Sequence, residues 1–201
     1  MKGAPKYDPK DTASIELCKQ FIDKFITAEN HPELARYQMH HHTHTCRKRV
    51  RKKMSTTTEK SSKASRIRLG HNEICRFGIP YPPVKQTVIL EPLNCKNKFE
   101  KQRHRDNLKI IKRALEDIRG TCKTKLPPST DEFMLSIGID STDYINAIRS
   151  GIRKTTVFLR RSPKDSFING YNPKIAEIWE GNMDLQFITD PFSCCRSVST
   201  H

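Results

Sequence analysis

A chain of 201 residues with 35% apolar residues has material for one moderate core or two small ones, and that composition excludes a uniformly dense globule. A formal net charge of +15 points to a polyanionic partner, nucleic acid before an acidic membrane surface, because the basic residues are clustered. No apolar run approaches the ~20 residues of a membrane-crossing helix. The opening Met1-Lys2-Gly3-Ala4-Pro5-Lys6 leads into no signal-peptide core. The expected setting is therefore intracellular, with no membrane partner. Seven cysteines, an odd number, are expected to stay mostly reduced there, and cysteine beside histidine points to zinc rather than to disulfides.

Residues 1–11 are polar, with two prolines, and read as a disordered tail. A helical segment over 12–45 follows and leads into a knuckle. Ile15, Cys18, Ile22 and Phe25 fall at helical spacing, widened by Phe21 and Ile26, with Asp11 or Thr12 as the cap. A second short helix is expected from Pro32, carrying Leu34, Tyr37 and Met39.

The next residues, His40-His41-His42-Thr43-His44-Thr45-Cys46, concentrate imidazole and thiol, the ligands that zinc prefers in a tetrahedral set of four. His42 and Cys46 are four apart, so one helical turn would bring them together. In a more extended backbone His40 and His42 share a face. Cys75, ahead of Arg76-Phe77 and the proline-rich exit Pro80-Tyr81-Pro82-Pro83, supplies the fourth ligand. The expected metal set is His40, His42, Cys46 and Cys75, with His44 and His71 as alternative ligands; on spacing alone, a solvated histidine cluster with two unrelated cysteines is the alternative.

Between the two halves, residues 46–75 read as a basic flexible insertion. Arg47, Lys48, Arg49, Arg51, Lys52 and Lys53 form a run suited to phosphate neutralisation by counterion release; the same run reads as a nuclear import address, and the alternative is a charged solvated loop. Residues 55–65 are low-complexity. The expected location is nuclear.

Residues 76–201 read as a partial α+β region. Val84 to Leu90 is strand-like, and residues 94–107 are very polar. Leu108, Ile111, Leu115 and Ile118 predict a helix from Asn107 to Arg119, ended by Gly120. Two short helices follow. One is capped at Ser129 or Thr130 and carries Phe133, Met134 and Ile137; the other is capped near Ser141 and carries Tyr144, Ile145 and Ile148. Thr155 to Leu159 predicts a strand, with Arg160 and Arg161 beyond it solvated or facing phosphate. A turn at Tyr171-Asn172-Pro173 leads to a helix through Ile175, Ile178 and Trp179. Met183 to Thr189 alternates polar and apolar like a half-buried strand. The adjacent Cys194 and Cys195 read as core or free thiols. The fold class expected is α+β: helical N-terminal segment, Cys/His knuckle with a long insertion, helical middle and a small incomplete antiparallel sheet.

Several of these segments, in their order, resemble the replication-initiator part of Helitron-type transposon proteins. They are His40…His42…Thr45-Cys46…Cys75-Arg76-Phe77…Pro80, Ile89-Leu90-Glu91-Pro92-Leu93, Tyr144-Ile145-Asn146-Ala147-Ile148-Arg149-Ser150, Thr156-Val157-Phe158-Leu159, Tyr171-Asn172-Pro173, and Trp179…Asn182-Met183-Asp184-Leu185-Gln186-Phe187-Ile188. The resemblance covers roughly residues 15–201. It implies descent from proteins that fuse a rolling-circle nickase to an ATP-driven helicase. In such a nickase a His-hydrophobic-His pair holds a divalent metal that polarises a DNA phosphate, and a tyrosine attacks it. It also implies that His40, His42, Cys46 and Cys75 are the knuckle lying between those two elements.

The chain departs from that pattern at its catalytic groups. No His-hydrophobic-His motif precedes the knuckle, and the middle residue of His42-Thr43-His44 is not hydrophobic. Ser197 and His201 stand where the tyrosines align, and no GxxxxGK[ST] phosphate loop is present. The function expected is a catalytically inactive remnant of a Helitron rolling-circle initiator, not an enzyme. It retains zinc and binds DNA, single-stranded or nonspecifically, with no small-molecule substrate. A decayed fragment that does not fold stably, with apolar surface bared near Phe187, is the alternative. A nicking nuclease using a non-tyrosine nucleophile, with Asp184 and His104 as scattered candidates, is the third reading.

Overall fold

Asp11 starts the first helix in the computed structural model of the chain, which describes residues 3–49, 73–120 and 127–189. Its carboxylate accepts the backbone N–H of Ala13 at 2.9 Å and caps α1 (Thr12–Phe25). Cys18 and Ile22, on the expected stripe, are fully buried. The polar segment before α1, read as a disordered tail, folds back on it: Ser14 Oγ donates to the Lys6 carbonyl at 2.7 Å and accepts from the Asp8 N–H at 3.0 Å.

The described residues form an α+β chain with six helices and two two-stranded antiparallel ribbons. The chain divides into two units, Met1–His40 with Pro80–His201, and His41–Ile79. The smaller unit contains the ribbon β1 (Arg47–Arg49) and β2 (Glu73–Cys75), with Arg47 opposite Cys75 and Arg49 opposite Glu73.

In the larger unit, α2 (Ala35–Gln38) begins three residues later than Pro32, which lies in a turn instead. The second ribbon pairs β3 (Val88–Leu90) with β4 (Thr156–Phe158), setting Val88 against Phe158 and Ile89 against Val157. Successive strand residues face opposite ways. Val88, Leu90 and Phe158 pack on a core of Ile111, Leu115, Phe133, Tyr144 and Ile148, whereas Ile89 and Val157 pack on Ile22, Ala28 and Leu159. Both faces are covered, which is why these strands read as unbroken apolar runs.

The first of those cores lies among α3 (Lys98–Gly120), α4 (Thr130–Ile137) and α5 (Ser141–Gly151). Ser129 caps α4 by accepting the Glu132 N–H at 3.2 Å. Asp140, one residue before the expected Ser141, caps α5 through the N–H groups of Thr142 and Asp143. The Tyr144 hydroxyl donates to the Pro83 carbonyl at 2.8 Å inside this core, and burial pushes the phenol's pKa up. The last helix, α6 (Pro173–Trp179), is capped by Asn172. It runs through Ile175, Ile178 and Trp179 as expected and buries Ala176, while those three side chains lie exposed.

Three further expectations are corrected. The helix expected from Asn107 starts at Lys98, because the polar stretch before it is helical. Met183 to Thr189 alternates in burial as a strand would but enters no ladder. It is held through the Leu185 N–H to the Gly170 carbonyl at 2.7 Å and Thr189 Oγ1 to the Thr155 carbonyl at 3.3 Å. Phe187, expected to be bared, packs edge-on to Phe21 with ring centroids 6.2 Å apart. Cys122, Cys194, Cys195, Ser197, His201 and residues 50–72 lie outside the described residues.

Candidate metal centre

Backbone pairing delivers the first ligand. The Asn169 N–H donates to the Gln38 carbonyl at 3.0 Å, Met39 bridges Ile168, and the His40 N–H donates to the Phe167 carbonyl at 2.8 Å. Three consecutive residues are thus stitched along one strip of backbone that ends at His40.

The second and third ligands come from a turn. The Cys46 N–H donates to the Thr43 carbonyl at 3.2 Å, so a tight turn, rather than the helical turn expected from the spacing, brings His42 and Cys46 together. Cys46 Sγ lies 3.5 Å from His42 Nδ1 and accepts the Thr43 N–H at 3.2 Å.

The fourth ligand is fixed by the small ribbon. The Arg76 N–H donates to the Cys46 carbonyl at 2.7 Å, which extends the β1–β2 pairing past Cys75. The chain then turns back: the Gly78 N–H donates to the Cys75 carbonyl at 3.0 Å, with Gly78 at φ 77°, a conformation glycine adopts without strain.

One ligand atom from each of His40, His42, Cys46 and Cys75 lies within 4.8 Å of every other, close enough to hold a metal ion. With zinc bonds of about 2.0–2.1 Å to nitrogen and about 2.3 Å to sulfur, ligand atoms of a tetrahedron stand roughly 3.3–3.8 Å apart. The His42–Cys46 separation already matches, and the widest pair closes by about 1 Å. Cys46 and Cys75 are 2% and 7% exposed, the histidines are half-buried, and neither cysteine is in a disulfide. Two imidazoles and two thiols in this compass fit zinc by donor chemistry. His44 is exposed and stands outside the cluster, and His71 lies outside the described residues.

Of the basic residues singled out for nucleic acid, Arg47, Lys48 and Arg49 form β1, while Arg51, Lys52 and Lys53 lie outside the described residues. Just past Cys75, the Arg76 guanidinium sits 4.6 Å from the centroid of the exposed Phe77 ring. Sequence reasoning used Arg76 and Phe77 only as family markers, and the signal missed was an exposed aromatic beside a cation.

The scattered nuclease candidates take different surroundings. His104 is buried on α3, its ring nitrogens 3.8 Å from the carboxylates of Glu100 and Asp143. Asp184 is exposed. Arg161, expected to be solvated or facing phosphate, is only 6% exposed. No helix among the described residues is long and apolar enough to cross a membrane. No protein-family model, no curated protein and no solved structure matches the chain.

Proposed function

We propose that the chain binds zinc structurally and nucleic acid through phosphate contacts, and that it descends from a Helitron-type initiator without retaining its nicking chemistry. The observation that carries this reading is the convergence of His40, His42, Cys46 and Cys75. Two histidines and two cysteines fill a tetrahedral zinc site and leave no position for water or a scissile phosphate, which is the pattern of a structural site.

Such a zinc would tie Cys46 to Cys75 at the root of the intervening stretch. Residues 47–74 contain ten of the 37 lysines and arginines against two glutamates, so much of the positive charge lies on this one stretch. Held at both ends, it offers phosphate-neutralising groups in sequence-independent fashion.

The test has three readouts on purified protein: zinc per mole, single-strand affinity against salt, and nicking. One zinc is expected, lost in the Cys46→Ser/Cys75→Ser variant. Affinity should fall on a log–log salt plot with a slope of about −0.7 per phosphate neutralised. Metal-dependent cleavage leaving a covalent protein–DNA adduct would overturn the inactive reading. The absence of zinc would remove its foundation.

A further inference from the structure

Away from the metal ligands, two cavities of the larger unit adjoin, sharing Val84, Lys85 and Thr130 in their walls. The first, of about 370 Å³, carries Lys85, Arg160, Arg161 and Lys164 against the acidic Glu29 and Asp165. The second, of about 220 Å³, is lined by Val88, Met134 and Ile145 and closed by Tyr144. Joined across those shared residues, they would make one cleft with a cationic end and an apolar end.

The cationic end is built rather than incidental. Arg161 is buried, its Nη1 donating to the Ile168 carbonyl at 2.8 Å and its guanidinium lying 4.5 Å from the Tyr81 ring centroid. Among the described residues no carboxylate stands within ion-pairing distance of it. Asp165 and Asp184 act on it only at longer range, and burial pushes its pKa down to about 10. A buried cation without a paired anion is costly, and a bound anion relieves that cost. Two of the other cations are ion-paired, Lys85 with Asp131 at 2.7 Å and Arg160 with Glu29 through two contacts at 2.9 and 3.1 Å. The single exposed Lys85 contact is weak, and the guanidinium of Arg160 keeps further N–H groups for a ligand oxygen.

We propose that this cleft binds a nucleotide, with the phosphate at Arg160, Arg161 and Lys164 and the base between Val88, Met134 and Ile145. The ligand chemistry is a phosphomonoester joined through a sugar to a planar ring whose faces are apolar, and none of the lining residues is one of the four candidate metal ligands. A free mononucleotide and the 5′-phosphorylated end of a strand share that chemistry.

Calorimetric titration of the full chain with thymidine 5′-monophosphate, thymidine and inorganic phosphate tests the two ends separately. The nucleotide is expected to bind about tenfold or more tighter than either fragment, since each fragment forfeits one end. The exposed double substitution Arg160→Ala/Lys164→Ala should weaken the nucleotide about tenfold and leave the circular dichroism spectrum unchanged. Oligothymidylate with and without a 5′-phosphate identifies the source. Preference for the phosphorylated end assigns a strand terminus; equal binding of both oligonucleotides, with mononucleotide binding retained, assigns the free nucleotide. No saturable mononucleotide binding, or phosphate binding as tightly as nucleotide, overturns the proposal. Both results are independent of zinc content, so they separate this inference from the metal reading.

Discussion

Gln38 and Met183, 145 positions apart in the chain, meet through the Gln38 side-chain carbonyl, which accepts the Met183 N–H at 2.9 Å. The same amide donates through Nε2 to the Gly181 carbonyl at 2.8 Å, and Gln38 is fully buried. One side chain therefore satisfies a donor and an acceptor of backbone that enters no ladder, two residues before His40. Gln38→Leu keeps the volume and strands both backbone groups. A loss of about 2–4 kcal/mol is expected, from about 1–3 kcal/mol per orphaned buried group. The urea midpoint of variant against parent measures it.

Zinc removal is the second prediction. A zinc bound by Cys46 and Cys75 would hold the two ends of residues 47–74, and metal binding at such a site adds to folding free energy. Chelation should lower the melting temperature, and added zinc should restore it. Cobalt in place of zinc should give the visible absorption of tetrahedral coordination, together with thiolate charge-transfer bands that weaken stepwise in Cys46→Ser and in the double variant. A melting temperature and spectrum unchanged by chelator or cobalt would show that these four residues hold no metal.

The cluster of His40, His42, Cys46 and Cys75 was legible in the sequence because histidine and cysteine declare their chemistry by identity. The long start of α3 was not, because Lys98 to Asp106 was read by polarity alone. Its signals were Asn97 and Glu100: the Asn97 side chain accepts the Phe99 N–H at 2.9 Å, a cap placed three residues before a glutamate. Lysine, glutamate, glutamine and arginine are also good helix formers. The 183–189 segment misled for the opposite reason. Its alternation reports which side chains are half-buried, whereas a strand also needs a partner along its length. In α6 the small Ala176 takes the buried position, while Ile178 is 88% exposed, which the spacing of the large apolar residues did not reveal. Nothing among the described residues explains that exposure.

Tyr144 gives a pH prediction. Its phenol is buried, its pKa is raised by desolvation, and its hydroxyl donates to the Pro83 carbonyl at 2.8 Å. The folded state holds the proton more tightly than the unfolded state, whose tyrosines titrate near 10. Its contribution is therefore fully present below about pH 10 and falls as pH rises above that value. Tyr144→Phe should cost about 1–2 kcal/mol at neutral pH, since the Pro83 carbonyl loses its donor. The deficit should shrink above about pH 10, where parent stability declines and the variant lacks this ionisation. Paired denaturation curves at neutral and alkaline pH measure the narrowing.

Gly170 makes the last prediction. A Cβ added there would lie 2.7 Å from the Leu185 carbonyl oxygen and 2.9 Å from Leu159 Cδ1. The Leu185 N–H already donates to the Gly170 carbonyl at 2.7 Å, so backbone meets backbone and neither chain can yield by rotating a side chain. Gly170→Ala should cost about 1–3 kcal/mol through overpacking. It should also loosen the 183–189 segment, seen as faster amide exchange at Leu185. Adding Leu159→Ala should not restore stability, because the carbonyl contact remains. Gly151→Ala is the control. There the added Cβ meets only the Leu108 side chain, whose end can rotate away, and alanine gains about 1 kcal/mol of helix propensity over glycine. A Gly151→Ala chain as unstable as Gly170→Ala would show that side-chain repacking, not backbone approach, sets the cost at both glycines.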